Sequence, residues 1–266
     1  MAEITRRELI LILSGVTHPE HGARLAGVDL SGLNLTGLNL HRADLRRADL
    51  SGCQMARVDL SAALLDDVIL RGADLSDASL VGAQGPNADF SEARLDRLQA
   101  QGAAFTAAEF IGVIGQGADF TEARLAMADF QGADLTKARL VRARLSRAVF
   151  ASATLTDALL TQAELTDANA EGARLGRADC TGAHLQRAAL SNITASWAKF
   201  REANLSESVL GGADLQQVDF RRALLRGADL RGAQMSGADF SGAILREAHY
   251  DVEALGKALL GDARLG

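Results

Sequence analysis

Residues 43–52 read Ala43-Asp44-Leu45-Arg46-Arg47-Ala48-Asp49-Leu50-Ser51-Gly52, two copies of a five-residue unit ordered small, polar, large and two further residues. The unit returns as Ala133-Asp134-Leu135-Thr136-Lys137 and as Ala238-Asp239-Phe240-Ser241-Gly242. Outward from there, every fifth residue from Leu25 to Tyr250 is apolar or small, through forty-six units without an insertion or deletion. A short period held this strictly specifies a solenoid. The spacing therefore predicts one elongated domain over 23–250. Residues 1–22 are expected to form an N-terminal capping helix and connector, and 251–266 a C-terminal capping or dimerisation segment.

A period of five matches neither the helical 3.6 nor the strand 2.0, so each unit must carry its own bend. On a short extended segment the small and large residues, two apart, point inward together and the polar residue between them points out. The last two places then form a corner. Gly32, Gly72, Gly132 and Gly232 recur at the second corner place, where a type II turn requires positive φ, and Pro86 sits at the first, where proline is favoured. All nine phenylalanines fall on the large inward place. Leu98 with Ala100, Val113 with Gly115 and Ile193 with Ala195 exchange volume between the two inward places, as close packing demands. Aromatic residues are only 4% of the chain, which fits a thin interior built of Leu and Ala.

Charge fixes how many units close a coil. With four, residues twenty apart stack about 4.8 Å from one another. Between outward places at that separation there are seventeen opposite-sign pairs and seven like-sign pairs, among the former Arg47 with Asp67, Asp77 with Arg97, Asp119 with Arg139 and Arg147 with Asp167. A separation of fifteen gives no such excess. Four units per coil and about eleven coils follow, a structure roughly 50–55 Å long at strand spacing.

The repeated A-(D/N)-L-x-x motif over residues 23 to 250 resembles that of the pentapeptide-repeat proteins. The resemblance implies an all-β solenoid, a right-handed quadrilateral parallel β-helix with short N-terminal and C-terminal capping helices. It also implies that some relatives bind DNA gyrase as mimics of DNA and protect it from quinolone-like toxins.

Solenoids expose their core at both ends and need caps. Thr5-Arg6-Arg7-Glu8 has the spacing of a capping box, and Gly15 is placed to end a helix of about 6–14. His18, Pro19 and His21 read as a solvated connector. After Tyr250 the register fails at Glu253. Asp251 is then expected to cap a helix of about 252–260 that presents Val252, Leu255, Leu259 and Leu260 either as a lid or to a second chain. Ala263-Arg264-Leu265 again resembles a repeat unit and leaves a return to the coil open. The resemblance makes a homodimer through this segment the expectation.

No phosphate loop, metal spacing or nucleophile elbow occurs. A filled interior leaves no pocket for catalysis, so no catalytic, metal-binding or cofactor-binding residue is assigned and a non-enzyme is expected. The net charge of −6 disfavours direct nucleic-acid binding. Cys53 and Cys180 fall on inward places and read as reduced thiols. With no apolar run of membrane-spanning length, a cytoplasmic protein with a protein partner and no membrane contact is expected. The one face whose charges do not alternate carries Asp29, Asp49, Asp89, Glu109 and Asp129 at its centres, with Glu92 beside them. Asp119 and Glu122 are expected to add to it from an adjoining face. This strip is the candidate interaction surface. Its competing explanation is that Asp is simply the motif's usual central residue.

Overall fold

The computed structural model describes residues 5–14 and 22–265. The expected connector, Gly15, His18, Pro19 and His21, lies outside them. The chain divides into two compact units, 1–134 and 135–266, and both use the same coil.

In each unit every five-residue segment contributes one bridging residue, and all bridges are parallel and join residues twenty apart. In unit 1 this yields four ladders. Face A runs Arg24, Asp44, Leu64, Gln84, Ala104, Arg124. Face B runs Asp29, Asp49, Ile69, Asp89, Glu109, Asp129. Face C runs Asn34, Gln54, Asp74, Arg94, Ile114, Asp134, and face D runs Asn39, Asp59, Ser79, Gln99, Asp119. Four ladders in chain order make a four-sided parallel β-helix. The twenty-residue stacking read from charge is thus the observed register.

The backbone bonds explain why one residue per face suffices. Leu45 N–H donates to the Leu64 carbonyl at 2.9 Å and Arg47 N–H to that of Asp66 at 2.9 Å. Asp44 N–H donates back to Ala23 at 2.8 Å, and Ala48 N–H closes the corner on the Leu45 carbonyl at 3.0 Å. The set recurs along both units, so most of the polar backbone of a coil is satisfied by its neighbours. The corner geometry holds whatever residue occupies it: Arg47 has φ 58° and Trp197 65°, alongside Gly52 at 63°. A non-glycine residue there costs on the order of 1–2 kcal/mol, which the coil-to-coil bonds offset.

The small and large inward residues are buried, most with no measurable exposure, except at the ends, where Val28, Leu33, Leu38, Ala248 and Tyr250 are half-buried. In unit 1 Phe90, Phe110 and Phe130 stack beneath face B with ring centroids 4.7 and 4.6 Å apart, while Phe105 and Phe120 meet Phe110 edge-on at 5.9 and 5.8 Å. In unit 2 the stack lies beneath the ladder Asp179, Lys199, Asp219, Asp239, with Phe200, Phe220 and Phe240 at 5.5 and 4.8 Å. Gly85 holds a large inward place, and Phe105 fills it. A Cβ at Gly85 would lie 2.9 Å from Phe105 Cε1 and 3.0 Å from Leu65 Cβ. Gly85→Ala is accordingly expected to destabilise unit 1 by about 1–3 kcal/mol by overpacking, read as a lower thermal midpoint. An unchanged midpoint would contradict this packing.

At the N-terminus helix α1 spans Arg6–Ser14. Glu8 Oε2 accepts from Thr5 N–H at 2.7 Å and Glu8 N–H donates to Thr5 Oγ1 at 3.3 Å, the reciprocal pair of a capping box. Arg6 Nε donates to the Asn34 carbonyl at 2.7 Å and Leu9 is fully buried, but Ile10, Leu11 and Ile12 stay exposed. The helix thus covers with one residue rather than with a whole apolar side.

The C-terminal expectation is corrected. Helix α2 is only Val252–Leu255, after which Leu259 bridges Asp239 and Arg264 bridges Ile244, so the chain rejoins the coil. Renewed backbone pairing, with Leu259 N–H on the Ala238 carbonyl at 2.8 Å, ends the helix. Leu255 turns inward at 4% exposure, whereas Val252 and Leu259 remain 80% and 61% exposed and Leu260 is half-buried. Asp251 precedes the helix with its carbonyl accepting the Leu255 N–H at 3.0 Å but without a side-chain bond to it. Its carboxylate takes the Gly232 N–H at 2.8 Å, a donor that elsewhere finds a carbonyl of the next coil.

Candidate functional site

The acidic residues of face B lie where the repeat puts them. Asp29 bridges Asp49, and Asp89, Glu109 and Asp129 follow one another on successive coils. Local structure accounts for most of these aspartates. Asp29 Oδ1 accepts from Ser31 N–H at 2.9 Å, Asp49 Oδ1 from Ser51 N–H at 2.8 Å, Asp89 Oδ1 from Ser91 N–H at 2.9 Å and Asp129 Oδ1 from Gln131 N–H at 2.9 Å. Asp59, Asp74, Asp119 and Asp239 do the same on other faces. A central aspartate thus holds the following corner, as short polar side chains do in Asx turns. Glu109 is exposed and, among the described residues, makes no such bond.

Two parts of the expected strip are corrected. Asp89 is not uncompensated: the Arg71 guanidinium reaches it at 2.8 Å from the neighbouring corner one coil back. Burial alone would raise the Asp89 carboxyl, but bonds from Ser91 and Arg71 hold it below the usual carboxylate range. Asp119 and Glu122 do not adjoin the strip either. Asp119 belongs to face D, two units and so half a coil from Glu109, which sets it on the opposite side. Glu92, exposed at the corner between faces B and C, stays beside Asp89 and Glu109.

The other outward charges pair in three ways. Arg47–Asp67, Arg97–Asp77, Arg177–Asp157, Arg187–Asp167 and Lys199–Asp179 stack between coils at 2.7 to 3.9 Å. Arg46, Arg94, Arg221 and Arg231 instead fold back within their own unit onto Asp44, Asp96, Asp219 and Asp229 at 2.6 to 2.7 Å. Arg201 leans diagonally to Asp219 at 3.9 Å. Apart from Arg94–Asp96, whose carboxylate is buried, these pairs have exposed basic ends and are individually weak.

They make stability acid-sensitive. The Arg231 guanidinium draws the Asp229 carboxyl down to about 2, and Arg46 lowers Asp44. A depressed carboxylate stabilises the fold above its unfolded pKa of about 3.9 and loses that contribution as pH falls through the folded value. The thermal midpoint is expected to drop steadily from about pH 4 to about pH 2, less steeply in Asp229→Asn. A flat profile across that range would contradict the pairing.

Surface grooves are shallow corners. The one along Ala26, Gly27, Arg46, Arg47, Asp66 and Asp67 holds about 480 Å³ between alternating guanidinium and carboxylate groups. Among the described residues, no three His, Cys, Asp or Glu side chains converge as a metal site, and no helix is long and apolar enough to cross a membrane. Cys53 and Cys180 are free and buried. Burial pushes the Cys53 thiol up to about 11 and raises Cys180 as well, so neither is a nucleophile near neutrality.

A family model described as pentapeptide repeats matches in eight copies, over residues 21–52, 53–84, 116–150, 143–179, 178–217 and 208–246. The chain is similar to HetL of the cyanobacterium Nostoc sp. PCC 7120, a pentapeptide repeat protein involved in heterocyst differentiation regulation, at 30% identity. That match covers 92% of this chain and 94% of the other, with TM-score 0.32. It is similar to Rfr23 of Cyanothece 51142 at 33% identity, covering 34% and 58% of the two chains, with TM-score 0.29. A trypsin-treated form of QnrB1, a plasmid-mediated fluoroquinolone resistance protein, matches at 19% identity over 85% and 96%, with TM-score 0.38. Among curated proteins no sequence matches.

Proposed function

The chain belongs to the pentapeptide-repeat family, whose repeat winds as a right-handed β-helix, and from that premise we propose that it is a non-catalytic protein-interaction or scaffold module. One observation carries this reading. The inward side chains fill the coil in both units, so the groups open to a partner are the outward centres and corners. Flat, repetitive faces of this kind suit recognition of another folded surface. The free, buried cysteines support a reducing, cytoplasmic location. The experiment is affinity capture from the source cell's cytosol with the native protein and with Asp89→Asn/Glu109→Gln/Asp129→Asn. A specific protein retained by the first and lost with the second supports the reading, and no specific protein retained by the native chain contradicts it.

A second reading is a DNA-mimicking partner of DNA gyrase that protects it from quinolone-like toxins. The bridged carboxylates Asp89, Glu109 and Asp129 favour it. Density weighs against it: a duplex carries a charge every ~1.7 Å, a fully acidic face only one per coil of ~4.8 Å, and Arg71 offsets Asp89. A gyrase supercoiling assay with and without a quinolone decides. Protection that disappears in the triple variant favours mimicry, and no effect at about micromolar protein, a typical affinity scale, removes it.

The C-terminal homodimer contact narrows to Val252 and Leu259, with Leu260 at its edge, since Leu255 is buried. We propose that these residues meet a second chain. Val252→Asp with Leu259→Asp should then weaken self-association measured by sedimentation, and an unchanged association constant excludes this contact.

A further inference from the structure

Unit 2 presents on one face two outward side chains that its own coil leaves unengaged. Trp197, the sole tryptophan of the chain, is 63% exposed at a corner with φ 65°, a backbone region unfavourable for so bulky a residue. Arg174, one coil earlier on the adjoining face, is exposed and, among the described residues, forms no ion pair. The face between them is the ladder Thr154, Arg174, Thr194, Asp214, Gln234. Its flanking corners are small where the coils would meet a flat partner: Ser191-Asn192 and Gly211-Gly212.

We propose that this face binds a second copy of the chain, antiparallel, about a two-fold axis that lies in the interface, perpendicular to the coil axis and level with Thr194. The charge pattern selects this arrangement. Rotation about Thr194 places each residue opposite the one an equal number of coils beyond the axis. Arg174 then faces Asp214 of the partner subunit, twice by symmetry, and Thr154 faces Gln234 of the partner subunit. Trp197 lies on the axis and meets Trp197 of the partner subunit. At the edges Glu171 faces glycines, Asp157 faces Gly237 of the partner subunit and Arg177 faces Gln217 of the partner subunit, so no like charges oppose one another. A parallel pairing would set Arg174 on its own copy and Asp214 on its own copy, and a shift by one coil would lose both the ion pairs and the tryptophan contact.

Asp214 has capacity for the new bond. It accepts from Ser196 Oγ at 2.9 Å and Gln216 N–H at 3.1 Å, and a carboxylate has about four acceptor sites. Five coils at strand spacing cover on the order of 400 Å² per partner, about half the standard interface. The dimer is therefore weak, with tryptophan as its anchor. It is independent of the interaction reading above and of the C-terminal contact.

Sedimentation velocity and tryptophan emission of the full chain across protein concentration test this. The native protein should associate reversibly, its emission moving to the blue as Trp197 leaves water. Arg174→Asp and Asp214→Arg should each weaken association about tenfold or more, as like-charge contacts do. The double variant Arg174→Asp/Asp214→Arg should return to within about threefold of the native affinity. Within one chain these positions lie two coils apart, about 10 Å, so recovery reports contact between copies. In a Val252→Asp/Leu259→Asp background, which removes the C-terminal contact, Trp197→Asn should leave a monomer without loss of thermal stability, because asparagine tolerates this corner. A monomer with unchanged emission up to about 1 mM, the weak limit of useful affinity, overturns the proposal. So does a dimer indifferent to Arg174→Asp, or a double variant no better than the single ones.

Discussion

Phe110→Ala is expected to lower the stability of unit 1 by about 3–5 kcal/mol, the range for removing a fully buried aromatic side chain. Phe110 is the busiest ring in the unit: Phe90 and Phe130 stack on its two faces and Phe105 and Phe120 approach edge-on. Phe90 N–H donates to the Glu109 carbonyl at 2.7 Å and Phe105 N–H to that of Arg124 at 2.8 Å, so these two neighbours are tied to the next coil and cannot collapse into the space. Phe220, with only two stacked neighbours at 5.5 and 4.8 Å, should cost less when truncated. Guanidinium unfolding of the two variants checks the order. Equal or smaller loss at Phe110 would mean that the ring stack is not what holds the coil.

Ala108→Asp is expected to cost about 4 kcal/mol or more, enough to unfold unit 1, while Ala107→Asp one residue earlier should change stability by less than about 0.5 kcal/mol. Ala108 is fully buried on an inward small place, and a carboxylate there has neither water nor a partner. Ala107 is a corner residue with φ 55°, a conformation that aspartate tolerates better than alanine. The contrast isolates the five-residue register from composition, since both variants make the same chemical change. Comparable losses at both sites, read by thermal unfolding, would contradict the assignment of inward and outward places.

The inward places, the corners and the twenty-residue stacking were legible because backbone pairing forces the same geometry on every unit. Leu45 and Phe110 obey it whatever their neighbours. Side-chain choices between equivalent partners were less legible. Arg46 stacks over Asp66 in the repeat yet bonds Asp44, because a carboxylate two residues away needs no crossing between coils. Arg71 reaches Asp89 diagonally, eighteen residues on, which a comparison restricted to residues directly above or below overlooks. The placement of Asp119 and Glu122 opposite the acidic strip was available from counting: two units turn the chain by half a coil. The role of central aspartates was legible in part, since Asp is followed two places later by Ser or Thr at Asp49, Asp59, Asp74 and Asp119, the pattern of a side chain closing its own turn. At the C-terminus a helical spacing of Val252, Leu255 and Leu259 competed with one more repeat at Ala263-Arg264-Leu265. The open edge of the coil decided for the repeat by supplying backbone partners that a longer helix would have left unpaired.

All of these readings depend on residues twenty apart being direct neighbours around a filled interior. Cysteine pairing measures that directly, in a chain whose own Cys53 and Cys180 are replaced by alanine. Gln54→Cys/Asp74→Cys, a bridged pair, should oxidise readily to an intramolecular disulfide, because adjacent parallel strands hold the two Cα atoms about 4.8 Å apart. Gln54→Cys/Ile69→Cys, fifteen apart and on different faces, should remain reduced under the same conditions. Efficient closure of the second pair with failure of the first would contradict the four-sided coil and the surfaces assigned on it.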